Sequence, residues 1–343
     1  MKNRDLSGSQ FKSMDYSFLA EKSVLITGAT GLIGKAVIRT LLDWNTKNSD
    51  SLIEIIAVVR DKKKAIQCFG ESGIRYVVGD IRTVDFGDIH ADYIIHGASQ
   101  TSSKEFVEHP VEVTSIALDG TKHILECAVK MKAKGFIYLS SMEVYGTPGD
   151  DEKITEVHAT NIDTMKVRSC YSESKRMCEN LCMSYMSEYR LPVAVLRLTQ
   201  TFGEGVEYAD GRIFAEFARC VIENRDIVLK TKGETKRSYL YLYDAVSAIF
   251  LIIYKSSYGE SYNVANEGTY CSIYEMAQLV AEKISNGKIC VKIEEGDIGK
   301  LGFAPQLNMN LDTSKIRSLG WRATMGLEKM FEVMIDSMKD NCV

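Results

Sequence analysis

The stretch SVLITGATGLIGKAVIRTLLDW, residues 23–44, joins a short β-branched run to a helical pattern through a turn with glycines at 28, 31 and 34. The run SVLITG shows no polar alternation, as expected of a strand buried on both faces of a sheet. In IGKAVIRTLLDW the apolar positions recur at helical spacing instead. A strand, a glycine turn and a helix in that order let backbone approach a pyrophosphate, whose charge then sits against the N–H groups of the first helical turn. Gly28, Thr30, Gly31, Leu32, Ile33 and Gly34 are therefore candidate cofactor-binding residues. A glycine pattern is weak by itself, and the strand–turn–helix context is what gives it meaning.

Outward from this stretch the rhythm repeats. The runs IEIIAVV (53–59), IRYVV (74–78), DYIIHG (92–97), GFIYLS (135–140) and PVAVLRL (192–198) alternate with helical segments such as VTSIALDGTKHILECAVKM. Such alternation implies right-handed βαβ units and predicts an α/β fold, a doubly wound parallel sheet covered on both faces. We expect the dinucleotide-binding domain over 21–198, preceded by an N-terminal arm over 1–20. After 198 the rhythm stops. A Gly-rich TQTFGEGVEYADGR is followed by helix-like IFAEFARCVIE, the apolar SYLYLYDAVSAIFLIIY and the short run SYNVAN, with no Pro- or Ser-rich linker between them. This predicts a smaller substrate-binding lobe from 199–237 and 266–343 packed on the sheet, with 238–265 returning to the first domain.

A chain of 343 residues with 45% hydrophobic content can bury a substantial core. The net charge of −4, with acids and bases interspersed, provides no basic stripe for a phosphate backbone and no basic amphipathic helix for a bilayer. No nucleic-acid and no membrane partner is expected. The first residues lack an apolar signal-like core, and no run of about 18 apolar residues occurs, which reads as a soluble cytoplasmic protein. Nine cysteines, an odd number, read as reduced thiols. Cys178 and Cys182 stand one helical turn apart, but without a His or third Cys at ligand spacing they read as core thiols, and no metal site is expected.

The second strand run ends AVVRDKKK. An acid at that end accepts from ribose hydroxyls in NAD-binding folds, whereas an arginine accommodates a 2′-phosphate. Arg60 holds the end and Asp61 follows, so the cofactor is NAD or NADP, with NADP favoured. Lys62, Lys63 and Lys64 read as a solvated face. Further on, YSESK (171–175) opens a helical pattern, and positions i and i+4 share a helix face. A lysine ammonium beside a phenol favours the phenolate, so Lys175 is expected to draw the Tyr171 pKa down from about 10. Tyr171 and Lys175 are then a candidate catalytic pair, with the Ser-bearing strand end at 140–141 about 30 residues earlier.

Together, TGATGLIG, Ser141 in LSSMEVYG and Tyr171/Lys175 in YSESK resemble the extended short-chain dehydrogenase/reductases that modify nucleotide-activated sugars on a Rossmann sheet. The resemblance runs from about residue 22 to the 320s. It implies that Tyr171 deprotonates a sugar hydroxyl, usually O4, while hydride moves to a nicotinamide. Ser141 would hydrogen-bond the same oxygen, and Lys175 would also hold the nicotinamide ribose. Asp80 and Ile81 in VVGDI resemble the residues near the adenine. Ala98 and Ser99 in HGAS resemble the loop beside the nicotinamide ribose. Arg237 in GETKRSYLYLYDAV resembles an arginine that contacts the substrate diphosphate, with Arg212 in DGRIF assisting. Two positions depart from the family's pattern: Ala117 replaces an asparagine in N-V-x-G-T, and Gln200, a candidate substrate contact, replaces one in R-x-x-N-x-x-G. Relatives pair two helices per subunit, so a homodimer is implied.

The residues after Ser141 bear on the reaction. Simple 4-epimerases of the family tend to read S-A-T-V-Y-G, 4,6-dehydratases T-D-E-V-Y-G, and glucuronate decarboxylases T-S-E-V-Y-G. This chain keeps Glu143 but has Met142 where the dehydratases carry the aspartate that protonates a leaving hydroxyl, and a thioether has no proton to give. Met142 and Glu143 are candidate substrate contacts, Glu143 acting near C5 or only hydrogen-bonding the sugar. VRSCYSESKRMCE also resembles the decarboxylases' R-x-C-Y-D-E-x-K-R. The implied enzyme is an NAD(P)-dependent decarboxylase, dehydratase or epimerase sharing oxidation at C4. The alternatives are an NADPH-dependent 4-keto-sugar reductase and a non-catalytic cofactor-binding protein on the same fold.

Overall fold

The computed structural model describes residues 15–148, 150–158, 161–294 and 307–340. Residues 1–14 of the expected arm, 295–306 and 341–343 of the expected lobe, and Cys342 with them, lie outside the described residues. Strands and helices alternate through the first half: Ser23–Thr27 (β1), Leu32–Lys47 (α1), Glu54–Val59 (β2), Lys62–Phe69 (α2), Arg75–Val78 (β3), Tyr93–His96 (β4), Glu105–Glu108 (α3), Pro110–Met131 (α4), Gly135–Ser141 (β5), Ser169–Tyr189 (α5) and Val193–Leu198 (β6). Shorter elements follow: Gln200–Phe202 (β7), Ile213–Glu223 (α6), Ile227–Leu229 (β8), Lys236–Tyr241 (β9), Leu242–Lys255 (α7), Ser261–Val264 (β10), Asn266–Ser272 (β11), Ile273–Leu279 (α8), Val291–Ile293 (β12), Asn308–Met309 (β13), Ser314–Ser318 (α9) and Leu327–Asp340 (α10).

Seven parallel strands form the main sheet in the order β10-β6-β5-β4-β1-β2-β3. All five residues of β1 are buried, which explains its unbroken apolar run. Val24 and Ile26 enter a core with Val37 and Leu41 of α1 and Ile249 and Phe250 of α7. Leu25, pointing the other way, joins Ile124 and Leu125 of α4 and Cys178 and Cys182 of α5. From β1 the chain moves outward through β2 and β3, then crosses back to β4 on the opposite side. That reversal leaves a crevice at the carboxyl ends of β1 and β4, where open α/β sheets hold ligands.

Beyond β6, β9 pairs with β7, β11 and β13 in a small sheet, while β8 pairs with β12. The segment 238–265, expected to return to the first domain, is thus divided: most of β9 belongs to the small sheet, while α7 packs against α1 and β10 lies parallel to β6 at the edge of the main sheet. A 3-10 turn at Met142–Tyr145 continues β5 and packs on Ile154, Ala265, Met309 and Leu311, tying the strand end to the later segments.

Candidate active site

The carboxyl ends of β1, β2, β4, β5 and β6 open on one cavity of about 550 Å³. At its floor lies the glycine turn. Gly28 has φ +67°, and a Cβ there would stand 2.7 Å from the Gly97 carbonyl. A Cβ on Gly34 would stand 2.2 Å from the Gly28 oxygen, so only glycine lets α1 pack this closely on the turn. Gly31 caps α1 in an extended conformation without a side-chain hydrogen bond to the first-turn N–H groups. These donors, with Thr30, Leu32 and Ile33 around them on the cavity wall, fit a dinucleotide pyrophosphate. Ala98 and Ser99 line the opposite side after β4, where the Ala98 N–H donates to Thr27 Oγ1 at 3.1 Å.

At the β2 end, Arg60 is exposed, lines the cavity and makes no hydrogen bond or ion pair with a described residue. Asp61 is turned away: its carboxylate accepts the Lys64 N–H at 3.1 Å and caps α2. Asp80 and Ile81 reach the cavity after β3. Hydrogen bonds from the Arg82 side chain, at 2.8 and 2.6 Å, and from its backbone N–H hold the Asp80 carboxyl at about 2.

The far wall is formed by Ser141, Glu143 and part of Met142 together with Tyr171 and Lys175 of α5. The Ser141 hydroxyl stands beside the Tyr171 phenol, where it favours the ionised form, and accepts the Glu143 N–H at 3.2 Å. Tyr171 is buried with its ring stacked on Phe106, centroids 4.4 Å apart. Lys175 differs from the expected arrangement. Its ammonium donates to the Leu139 carbonyl at 2.8 Å and stands 5.9 Å from the Tyr171 ring centre. Burial pushes the Tyr171 phenol up, the Glu143 charge adds to this, and burial lowers Lys175 to about 8. The lysine therefore does not draw the phenol down here, because desolvation by the Phe106 stack outweighs a cation turned toward a carbonyl.

Two residues at or beside this wall carried no assignment in the sequence. Arg168 forms a forked ion pair with Glu143, at 3.2 and 3.4 Å, and its guanidinium lies 5.7 Å from the Phe106 ring centre. Its place three residues before Tyr171 is the signal that a helix-face reading exposes. Phe106 comes from α3 and offers no local signal. Met142, only 4% exposed, sits mostly within the apolar cluster beneath the wall, its Sδ 3.2 Å from Thr199 Oγ1, whose proton goes to the Ser238 carbonyl.

The substrate candidates separate. Gln200 lines the cavity with its Oε1 buried and without a partner among the described residues. Arg212 also lines it, but its guanidinium is engaged by Asp210, at 2.5 Å to Nη2, and lies 4.7 Å from the Phe214 ring centre. Arg237, in register with Cys271 and Met309 inside the small sheet, is not brought to the cavity wall. Its Nε is buried and without a partner among the described residues. Cys178 and Cys182 are buried in the core, as core thiols should be. Among the described residues no group of three His, Cys, Asp or Glu side chains is arranged to hold a metal, and no helix is long and apolar enough to cross a membrane.

Residues 24–265 match the model of the NAD-dependent epimerase/dehydratase family, and the chain belongs to that family. UDP-glucuronic acid decarboxylase 1 of Xenopus tropicalis is 26% identical over 320 residues, covering 91% of this chain and 72% of the relative. The dTDP-D-glucose 4,6-dehydratase of Dictyostelium discoideum is 28% identical over 280 residues, covering 77% of this chain and 62% of that one. Among solved structures, UDP-glucose 4-epimerase of Thermotoga maritima superposes with a TM-score of 0.78 at 20% identity, over 94% of this chain and all of that one. UDP-glucuronic acid 4-epimerase of Bacillus cereus, in complex with NAD, gives 0.75 at 22% identity over 93% and 99%. The fold class and the enzyme class expected from the sequence, NAD(P)-dependent and acting on nucleotide sugars, are those of this family and its relatives.

Proposed function

We propose that the protein oxidises C4 of a nucleotide-activated hexuronate and releases its carboxyl carbon as carbon dioxide. The observation that carries the C4 step is that Ser141, Tyr171 and Lys175 line one cavity wall, with the Lys175 ammonium anchored on the Leu139 carbonyl. Ser141 holds the sugar oxygen, and Tyr171 takes its proton as the phenolate, a form that the positive nicotinamide of a bound cofactor would favour against the effect of burial. When bound, NAD(P) supplies the acceptor for the C4 hydride and returns it at the end. The first-turn N–H groups of α1 and the Ala98–Ser99 loop would hold that cofactor. With C4 a ketone, the substrate is a β-keto acid: the C5–C6 bond breaks, its electron pair moves toward the C4 oxygen, and C5 then takes a proton.

The choice of a hexuronate rests on the wall beside Ser141. Met142 has no proton for a leaving hydroxyl, which disfavours dehydration. Two unpaired carboxylates about 4 Å apart repel by about 1 to 4 kcal/mol between water and a protein surface. The Arg168 fork on Glu143 compensates one of them and so favours admission of an acidic sugar. UDP-glucuronic acid decarboxylases among the relatives support the same outcome.

A second reading, NADPH-dependent reduction of a 4-keto sugar, is favoured by Arg60, and NADP is the cofactor we propose. Asp61 is committed to the α2 cap, leaving the strand end to an unpaired guanidinium. We place the cofactor domain and the substrate lobe as the sequence divides them, except that β9 goes with the small sheet, and propose a cytoplasmic homodimer. Val111 of α4 and Met177 and Tyr189 of α5, 82%, 48% and 51% exposed, support a helical interface.

The test is incubation with UDP-, dTDP-, GDP- and CDP-sugars, reading product mass and nicotinamide absorbance. Loss of carbon dioxide from UDP-glucuronate without net cofactor change is expected. Loss of water, an unchanged mass with inverted stereochemistry, or steady NADPH consumption would each replace the decarboxylase reading.

A further inference from the structure

Directly behind the reacting groups lies a charge pair that none of the steps above uses. Glu179 follows Tyr171 and Lys175 at successive four-residue spacings, so all three share one face of α5. Its carboxylate accepts the Ser140 hydroxyl at 2.5 Å, next to Ser141 on β5. It is gripped by Arg197 of β6 through Nη2 at 2.7 Å and Nε at 3.1 and 3.2 Å. The two side chains are only 12% and 15% exposed. Arg197 also donates to the Tyr145 hydroxyl at 2.8 Å, closing the turn that bears Met142 and Glu143, and Tyr145 donates to Asn263 of β10 at 2.7 Å. One network therefore joins α5, β5, β6, the 142–145 turn and β10.

We propose that Glu179, clamped by Arg197, is a positioning residue that holds Ser141 and the 142–145 turn in register with Tyr171 and keeps Lys175 in its ammonium form. This rests on Tyr171 and Lys175 being the proton-handling pair. A bidentate arginine–carboxylate pair fixes geometry as well as charge, and the negative charge one helical turn from Lys175 opposes the burial that lowers it. Facing Lys175 are His96 of β4, Tyr138 and the Leu139 carbonyl of β5, and Tyr171, Cys178, Glu179 and Cys182 of α5. Near Glu179 stand Ser140, Arg197 and Tyr145. Among these described groups facing Lys175, Glu179 is the one carboxylate.

The experiment follows the Lys175 side-chain ammonium by ¹⁵N NMR across pH, assigned by its loss in Lys175→Met, together with kcat and KM on UDP-glucuronate and NAD(P) dissociation constants. In Glu179→Gln the Lys175 midpoint should fall by about one unit. Its kcat should drop at least about tenfold with KM and cofactor binding within about twofold, and Glu179→Asp should restore the midpoint. An unmoved midpoint with unchanged kcat, or a loss of cofactor binding that parallels the loss of rate, overturns the proposal. If Glu179→Gln does not fold, Glu179→Asp and Ser140→Ala carry the positional half: kcat must fall in both with KM held, and unchanged kcat in both overturns it. A midpoint that moves in a protein converting no nucleotide sugar would sink the proposed reaction and leave the Glu179 role standing.

Discussion

Replacing Met142 by aspartate restores the residue that dehydratases carry after the serine, and the structure predicts that the change damages the protein without making it a dehydratase. Met142 is 4% exposed and packs with Val144, Tyr145, Ile154, Met309 and Leu311. Losing the thioether from such a site costs about 2 to 5 kcal/mol by analogy with large-to-small core changes. The new carboxyl enters an apolar cluster, where it takes up a proton instead of carrying charge. Its one candidate donor, Thr199 Oγ1, already donates to the Ser238 carbonyl at 2.5 Å. A net loss of about 3 to 5 kcal/mol is a large share of a typical stability of about 5 to 15 kcal/mol. At this chain length it lowers Tm by roughly 4 to 7 °C. Thermal unfolding followed by near-UV circular dichroism measures the loss, with Met142→Leu as the volume-conserving control, expected within about 1.5 kcal/mol of the native protein. Product mass from dTDP-glucose measures the chemistry. A Met142→Asp protein that melts with the native one and releases water would refute the reasoning, because its carboxyl would then have to face the cavity and not the cluster.

Tyr171→Phe should lower hydride transfer by at least about 100-fold while leaving NAD(P) dissociation within a few-fold, measured by single-turnover absorbance and by cofactor titration; full activity would remove Tyr171 from the mechanism. Arg60→Ala should cut the NADP-over-NAD affinity ratio by about 5- to 30-fold, the worth of one exposed charge-assisted contact of about 1 to 2 kcal/mol, and an unchanged ratio would return the preference to NAD. Burial pushes the Asp92 carboxyl up, but hydrogen bonds from Lys134 and Ser23 win and hold it at about 2. Its stabilisation, at most about 2 kcal/mol, is present above the ordinary carboxylate pKa and lost as pH falls from about 4 to 2. Asp92→Asn should therefore flatten that part of the acid unfolding curve, and an identical acid limb would show that the pair contributes nothing.

Local pattern was enough for the sheet and the glycine turn. A strand buried on both faces must be apolar throughout, as SVLIT is, and Gly28 and Gly34 are demanded by backbone contacts within the same strand–turn–helix unit. The i, i+4 spacing likewise put Tyr171 and Lys175 on one face of α5 before any tertiary contact was known, and the chain's resemblance supplied the enzyme class. What the side chains do to one another was decided only in three dimensions. Lys175 turned to a carbonyl of β5, Phe106 arrived from α3 to desolvate Tyr171, and Arg168 closed on Glu143. Arg237 was held within a strand, and Met142, prominent in the sequence as a missing proton donor, became a buried wedge under the cavity wall. The physical reason is range. Periodicity and turn chemistry act over a few residues and are written in the sequence. Burial, charge pairing and the reach of a side chain depend on which distant elements pack together, and that is fixed only when the sheet closes.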